Sequence, residues 1–366
     1  MGIVRFILAM SVIIAHTSPI FGSMYVGGVI AVKAFYIISG FYMSLILNEK
    51  YVQQKNSYKL FISNRFLKLY PFYWVVLLAT LGLYTYTFFA MPRGNTNLIY
   101  TYQQFYQNVN FKAGTLVFFI LINLFLIAQD SLLFMGLNTK GNFYFAQNFR
   151  DTNPQLYNFL AIPQAWTISL ELMFYLLAPF IVKRKLTFVI PIIICCFIAK
   201  LIFYKMGYKL DPWNYRFFPF ELGFFLLGNV CYRIYLQLKK YTMQIEKFYL
   251  LVVTLFLALT YVYYKIPLHF IIKEYLYYSF IFAIIPILFI ASKKYKWDNY
   301  IGDLSYLLYI SHMLVVLIIT TFKWPVFNQI GLLTVVISMA FSLICKHTLL
   351  NKIEKIRQNR VKPINA

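Results

Sequence analysis

Two imidazoles, one carboxylate and three cations stand out in a chain that is otherwise strongly apolar. The first stretch, Met1 to His16, reads MGIVRFILAMSVIIAH, with Arg5 near its start and His16 eleven residues later. On a helix, eleven steps of about 100° come to roughly 1100°, about 20° past three full turns, so the two side chains share a face about 16 Å apart along the axis. Arg5 then sits at one membrane surface and His16 near mid-bilayer, where an imidazole costs free energy unless it faces protein or water. His312 lies midway through a later apolar run, at a similar depth, and Glu171 lies in a run of opposite direction that reaches the same level. A histidine and a carboxylate in a low-dielectric pocket make a general base and its orienting partner. The same side chains bonding helix to helix as a polar clamp is the alternative. Arg65 and Lys68, just before Tyr70-Pro71, form a basic inner rim: a topogenic cluster, or a grip on a polyphosphorylated ligand. Lys33 falls within an apolar run and needs a carboxylate or an aqueous cavity, though no partner for it is evident. Ser39-Gly40 reads as a small pair that allows close helix packing.

The elements that must position these groups are membrane helices. Of 366 residues, 61% are hydrophobic, 20% aromatic and 12% charged, about half the charged fraction of a soluble domain. Long apolar runs recur from end to end, which predicts an all-α polytopic membrane protein. Spans are expected at about 3–21, 27–47, 70–90, 164–182, 187–206, 217–236, 248–264, 273–291, 301–321 and 327–345. No polar stretch is long enough for a separate soluble core, so residues 1–350 read as one membrane-embedded domain and 351–366 as a short basic cytoplasmic tail. The first run lacks a small-residue cleavage site and is read as a retained helix. The net charge of +23 comes from 34 Lys and Arg against 11 Asp and Glu. In a soluble protein it would point to nucleic acid; here the cations lie in short loops, and anionic lipid headgroups are their expected partners. Metal-ligand spacing is absent, and Cys195, Cys196, Cys231 and Cys345 fall in or at the ends of apolar runs as buried, inert thiols.

Charge also decides how Gly114–Gly136 is threaded. If it crosses once, Lys183-Arg184-Lys185, Lys239-Lys240 and Lys293-Lys294 all face outside, against the positive-inside rule. If it re-enters or lies on the surface, those clusters and the tail (Lys352, Lys355, Arg357, Arg360, Lys362) are all inside. The second arrangement gives about ten spans, both termini in the cytoplasm, and an outer segment of about 91–163 between spans three and four. Asn123, Gln129 and Asp130 suit a wet lining for the re-entry. The stretches TYQQFYQNVNF and GNFYFAQNF supply aromatic rings and amides, as a carbohydrate surface needs and as any membrane interface favours.

Five elements in order resemble acyltransferase family 3, a family of multi-pass membrane acyltransferases. They are the Arg5/His16 spacing; Phe35-Tyr36-Ile37-Ile38-Ser39-Gly40-Phe41; and Arg65-Phe66-Leu67-Lys68-Leu69-Tyr70-Pro71. Next come Trp166-Thr167-Ile168-Ser169-Leu170-Glu171-Leu172-Met173-Phe174-Tyr175, then Gly302-Asp303-Leu304-Ser305-Tyr306 with Tyr309 and His312. The resemblance covers essentially the whole chain. It departs at Met1-Gly2-Ile3-Val4, where the family usually has Leu-Asp-Gly-Leu, and at Thr167-Ile168, where it has Ser-Leu. Many members carry a C-terminal extracytoplasmic hydrolase-like domain; this sequence ends about twenty residues after its last span and is expected to work alone or with a separate extracytoplasmic partner.

The resemblance implies transfer of an acyl group, commonly acetyl, from cytoplasmic acyl-CoA to a hydroxyl of a surface or lipid-linked glycan at a bacterial cytoplasmic membrane. Acyl-CoA is then a co-substrate, with no permanently bound cofactor and no metal. Arg5, Arg65 and Lys68 would hold the donor. His16 would take the proton from the acceptor hydroxyl, Glu171 or His312 would orient it, and Ser305 or Tyr306 would hydrogen-bond the developing oxyanion. An acyl-His intermediate is equally compatible. Ser39, Gly40, Trp166, Ser169 and Tyr175 belong to the structural motifs. Rival readings are acylation of a lipid or small metabolite and, from another class, a transporter or flippase with His16, Glu171 and Lys33 as a proton relay.

Overall fold

All ten apolar runs are helical in the computed structural model, which describes residues 1–52, 54, 56–91, 98–108, 112–324 and 329–361. The bundle begins with α1 (Gly2–His16), α2 (Gly27–Glu49) and α3 (Ser57–Ala90), followed by the shorter α4 (Leu98–Asn108) and α5 (Ala113–Phe125). It continues with α6 (Trp166–Ile181), α7 (Leu186–Lys205), α8 (Phe218–Leu238), the short α9 (Thr242–Glu246) and α10 (Tyr249–Val262). The last four helices are α11 (Phe270–Ser292), α12 (Lys296–Thr321), α13 (Ile330–Cys345) and α14 (Asn351–Asn359). Among the described residues, seven helices are long and apolar enough to cross a membrane unaided, or eight if the pair around α8 and α10, bent by 98°, counts as one span.

The two short runs, α1 and α10, still reach from one side of the bundle to the other. At one end Asp298, in the first turn of α12, accepts hydrogen bonds from Gly2 N at 2.7 Å and Ile3 N at 2.9 Å, and Tyr249 stacks on nearby Tyr295 at 4.7 Å. At the other end Tyr261 donates to Phe21 O, and Ser23 donates to Tyr261 O. The span expected over 3–21 is shorter than expected because α1 stops at His16. Pro19 disfavours helix in the residue before it, and the chain turns through Thr17-Ser18-Pro19.

Side-chain pairs fix the remaining directions. Helix α2 runs parallel to α8, with Tyr36 stacked on Phe225 and Asn229 bonded to Ser44. It is also parallel to α11, with Lys33 on Glu274 at one end and Phe41 against Phe289 at the other. The carboxylate that Lys33 requires is therefore Glu274, at 2.9 Å. The seam between α2 and α8 is unusually close because Gly40 faces the backbone of Phe225 and Gly228 faces that of Ile37.

Helix α5 does not cross. Its last carbonyls, at Asn123, Leu124 and Phe125, accept hydrogen bonds from Tyr73, Trp74 and Tyr70, midway along α3. The chain then turns at Leu126 and Ala128, both with positive φ, and returns through a small hairpin pairing Met135–Leu137 with Phe143–Phe145. Its polar residues bond largely to protein, although Gln129 Oε1 is buried with no partner among the described residues. Asn123 bonds Phe119 O, Phe159 O and Ala161 N, Gln129 donates to Ile122 O, and Asp130 accepts from Ser169. The aromatic stretch from residue 104 to 111 lies outside the described side chains, as does Lys362 of the tail. The four cysteines are free, and Cys195 is exposed on the outside of the bundle rather than buried.

This alternation places the basic clusters on the side where α1 begins. Lys294 pairs with Glu246, Arg233 bonds the carbonyl of Arg184, and Arg360 bonds Ser63. A membrane-impermeant thiol reagent that labels a single cysteine substituted at Arg150 should therefore fail to label one at Arg184 or Lys294 in sealed cells. Equal labelling at all three would mean that the segment around α5 crosses fully.

Candidate active site

The site starts from the pairing of α1 with α12. Gly2 and Gly302 approach so closely that a Cβ on Gly302 would lie 2.8 Å from Gly2 Cα, which pins the register of two parallel helices. Arg5 then stands beside Gly302, with its guanidinium 5.6 Å from the centre of the Tyr42 ring. Three helical turns further on, the same register brings His16 to His312, with ring centroids 5.4 Å apart.

Between these levels lies a cavity of about 310 Å³. Arg5, Arg65 and Lys68 line it near the side where α1 begins, joined by Lys50 just past α2. Ser39, Glu171, Tyr175, Ser305 and Tyr306 line it deeper in. Five loose motifs far apart in sequence thus contribute to one cavity. It ends at Phe35, Thr167 and Tyr309, where the Thr167 and Tyr309 hydroxyls are 2.8 Å apart and Tyr309 also donates to Gln164 O.

The polar groups in the wall are not all free. Glu171 accepts from Ser39 and Tyr175, so it is held on the cavity side and makes no hydrogen bond to His16 among the described residues. Ser305 donates to Gly302 O and Tyr306 to Leu69 O, so neither hydroxyl is spare in this state. Tyr36, by contrast, lines the cavity with a buried hydroxyl that has no partner among the described residues.

The imidazoles stand beyond the cavity's end, one ring further, since Tyr309 lies 5.8 Å from His312. His312 is fully buried, and its Nδ1 is 2.6 Å from Tyr309 O. A carbonyl only accepts, so Nδ1 carries the hydrogen and Nε2 keeps its lone pair, with no partner among the described residues. His16 is the last residue of α1 and is exposed where that helix stops, beside His312, which is followed by nine more residues of α12. Beside it, Arg216 lies over Trp166 at 4.2 Å and pairs with Asp211 at 2.7 and 3.1 Å, close enough for its charge to act on His16. Sequence reasoning missed this loop: Asp211 and Arg216 sit in no motif, and only their five-residue spacing among aromatics marks them. It also passed over Tyr36 and Thr167 as site groups, although both lie inside the motifs. Gly40, Trp166 and Ser169 do not line the cavity: Gly40 packs on α8, Trp166 carries Arg216, and Ser169 holds Asp130.

An acyltransferase domain matches residues 1–347. The chain belongs to acyltransferase family 3. No curated protein and no solved structure matches it. The match covers every motif residue named above, so the membrane acyltransferase carries its imidazole pair and most of its cavity wall within the family's domain. Beyond residue 347 the described chain finishes a π-helical turn, Lys346–Leu350, and forms α14, and part of α14 also reaches the cavity.

Proposed function

We propose that this acyltransferase moves an acyl group, acetyl in the simplest case, from cytoplasmic acyl-CoA to a hydroxyl of a surface or lipid-linked glycan at a bacterial cytoplasmic membrane. The observation that carries the reading is the cavity itself. It is mouthed by cations on one side of the bundle and ends one aromatic ring short of an imidazole pair on the other. The basic clusters gathered on the mouth side support a cytoplasmic orientation for that side. Anionic lipids are the natural partners of the cations outside the cavity. A separate extracytoplasmic protein would dock at the face where His16 opens.

In this reading the donor's phosphates stay at Arg5, Arg65 and Lys68 while its pantetheine arm carries the thioester toward Tyr309. The acceptor hydroxyl approaches from the side of His16 and Arg216. Its oxygen attacks the thioester carbonyl carbon, the C–O bond forms and the C–S bond breaks. His16 takes the hydroxyl proton, which ends on the departing thiolate, so the products are an ester and the free thiol. His312 orients His16, in place of Glu171, and the unpartnered Tyr36 hydroxyl is the donor free to meet the developing oxyanion. Meeting of the two substrates requires the Thr167–Tyr309 contact to part.

Purified protein in liposomes supplied with acetyl-CoA and a lipid-linked saccharide should release free thiol and form one ester per thiol. Cells lacking the gene should lose that ester from their surface glycans by mass analysis. Movement of unmodified saccharide across the liposome with no thiol release would replace this reading with the transporter.

A further inference from the structure

The mouth of the cavity holds more positive charge than the matched domain supplies. The family match ends at residue 347, yet Arg357 and Gln358 line the cavity. They arrive there because α13 continues through the turn Lys346–Leu350 into α14, which lies against α3 and is tied to it by Arg360 on Ser63 at 2.8 Å. Glu354 accepts from Arg357 Nε at 2.8 Å and Nη2 at 2.5 Å, which fixes the guanidinium plane and leaves its Nη1 edge for a ligand. The charge of Arg357 acts on both Lys50 and Lys68, and so does that of Arg65. Desolvation and then Arg357 push the Lys50 ammonium below the usual lysine range, the mark of a crowded positive site. Arg65 is only 6% exposed, and its Nε has no partner among the described residues. The nearby carboxylates are already taken, Asp303 by Lys346 and Glu354 by Arg357. Arg5, Lys50, Arg65 and Lys68 therefore face the cavity together with Arg357, whose charge Glu354 balances while its Nη1 edge stays open.

We propose that Lys50 and Arg357 form a second phosphate subsite, which binds the ribose 3′-phosphate of the donor, while Arg5, Arg65 and Lys68 hold its diphosphate. The assignment rests on acyl-CoA as the donor. It follows from the donor's connectivity: the arm that bears the thioester leaves from the diphosphate, so the diphosphate lies on the deeper cations. The 3′-phosphate sits at the nucleotide end, where the exposed Lys50 and the end of α14 are. A charge-assisted pair of contacts is the expected recognition for such a group.

The test compares acetyl-CoA with acetyl-3′-dephospho-CoA in vesicles of zwitterionic phosphatidylcholine. Wild type should show a KM about tenfold or more higher for the dephospho donor. The double variant K50Q/R357Q should raise the KM for acetyl-CoA to meet that value, with the KM for the dephospho donor and both kcat values unchanged. Unchanged turnover of the dephospho donor doubles as the folding control. The single variants K50Q and R357Q, each expected to give part of the shift, carry the test if the double variant does not accumulate. A variant that keeps the wild-type preference, or that raises both KM values equally, overturns the subsite. Wild type that uses both thioesters equally well overturns the subsite and leaves acyl-CoA as donor; wild type that uses neither overturns both. Repeating the series with anionic phosphatidylglycerol separates the sources of phosphate. If the variants differ from wild type only when that lipid is present, the bound phosphate is a headgroup and the proposal falls.

Discussion

His16→Gln lowers acyl transfer by about 10²–10⁴-fold, the range a positioned general base contributes, while protein abundance stays near normal. The structure separates the two effects. His16 is exposed at the end of α1 and is held by no strong contact beyond the neighbouring ring of His312, so its loss costs little folding free energy. Glutamine keeps a hydrogen-bonding shape but cannot take a proton at neutral pH, so the variant isolates the proton transfer. His312→Gln is less clean, because that ring is fully buried and bonded to Tyr309 O. The measurement is ester formed per molecule of membrane protein, with both quantified in the same cells. Substantial activity of His16→Gln at normal abundance would leave His16 a helix clamp and pass the role of base to His312 Nε2.

A large structural effect is expected at Gly40. An ideal Cβ there would lie 1.8 Å from Phe225 O and 2.7 Å from Phe225 C, and both atoms are backbone. Helix α8 itself would have to move away from α2, and Gly228, which faces Ile37 O at 2.1 Å, repeats the constraint from the other side. Overpacking of a tight contact costs about 1–3 kcal/mol, occasionally more, and here no side chain can rotate out of the way. Gly40→Val should therefore abolish accumulation of folded protein, and Gly40→Ala should reduce its yield and thermal midpoint in detergent. Gly82 is the control: a Cβ there meets nothing within 4 Å, and Gly82→Ala should be neutral or slightly stabilising. Normal yield and midpoint for Gly40→Ala would show that the two helices can separate without cost.

Much of this architecture can be read in the chain because a membrane protein writes its spans as apolar runs. The helix phase that aligned Arg5 with His16 also holds in space, since both residues face α12, one beside Gly302 and the other beside His312. Helix length was harder to read than phase. The first span was expected to run on to residue 21, although Thr17-Ser18-Pro19 interrupts the apolar run and the helix ends before them. Partners across hundreds of residues were out of reach: nothing local joins Lys33 to Glu274, or Glu171 to Ser39. The basic tail reads as a topogenic signal, yet its composition is equally that of a helix whose arginine closes on a cavity. The bonding of the Asn123 and Gln129 amide nitrogens to protein carbonyls was likewise invisible, because an amide in sequence does not say whether water or backbone meets it.

The grip of α3 on the end of α5 bears on how the protein is made. Helix α5 is apolar enough for an insertion machine to take it for one more crossing, and a single such error would turn over all seven spans that follow, α6 to α8 and α10 to α13. The three rings that catch its carbonyls, Tyr70, Tyr73 and Trp74, are synthesised some fifty residues earlier and are already in the membrane when α5 emerges. The order of synthesis thus provides the anchor before the segment that needs it, and the orientation of every later span depends on that anchor.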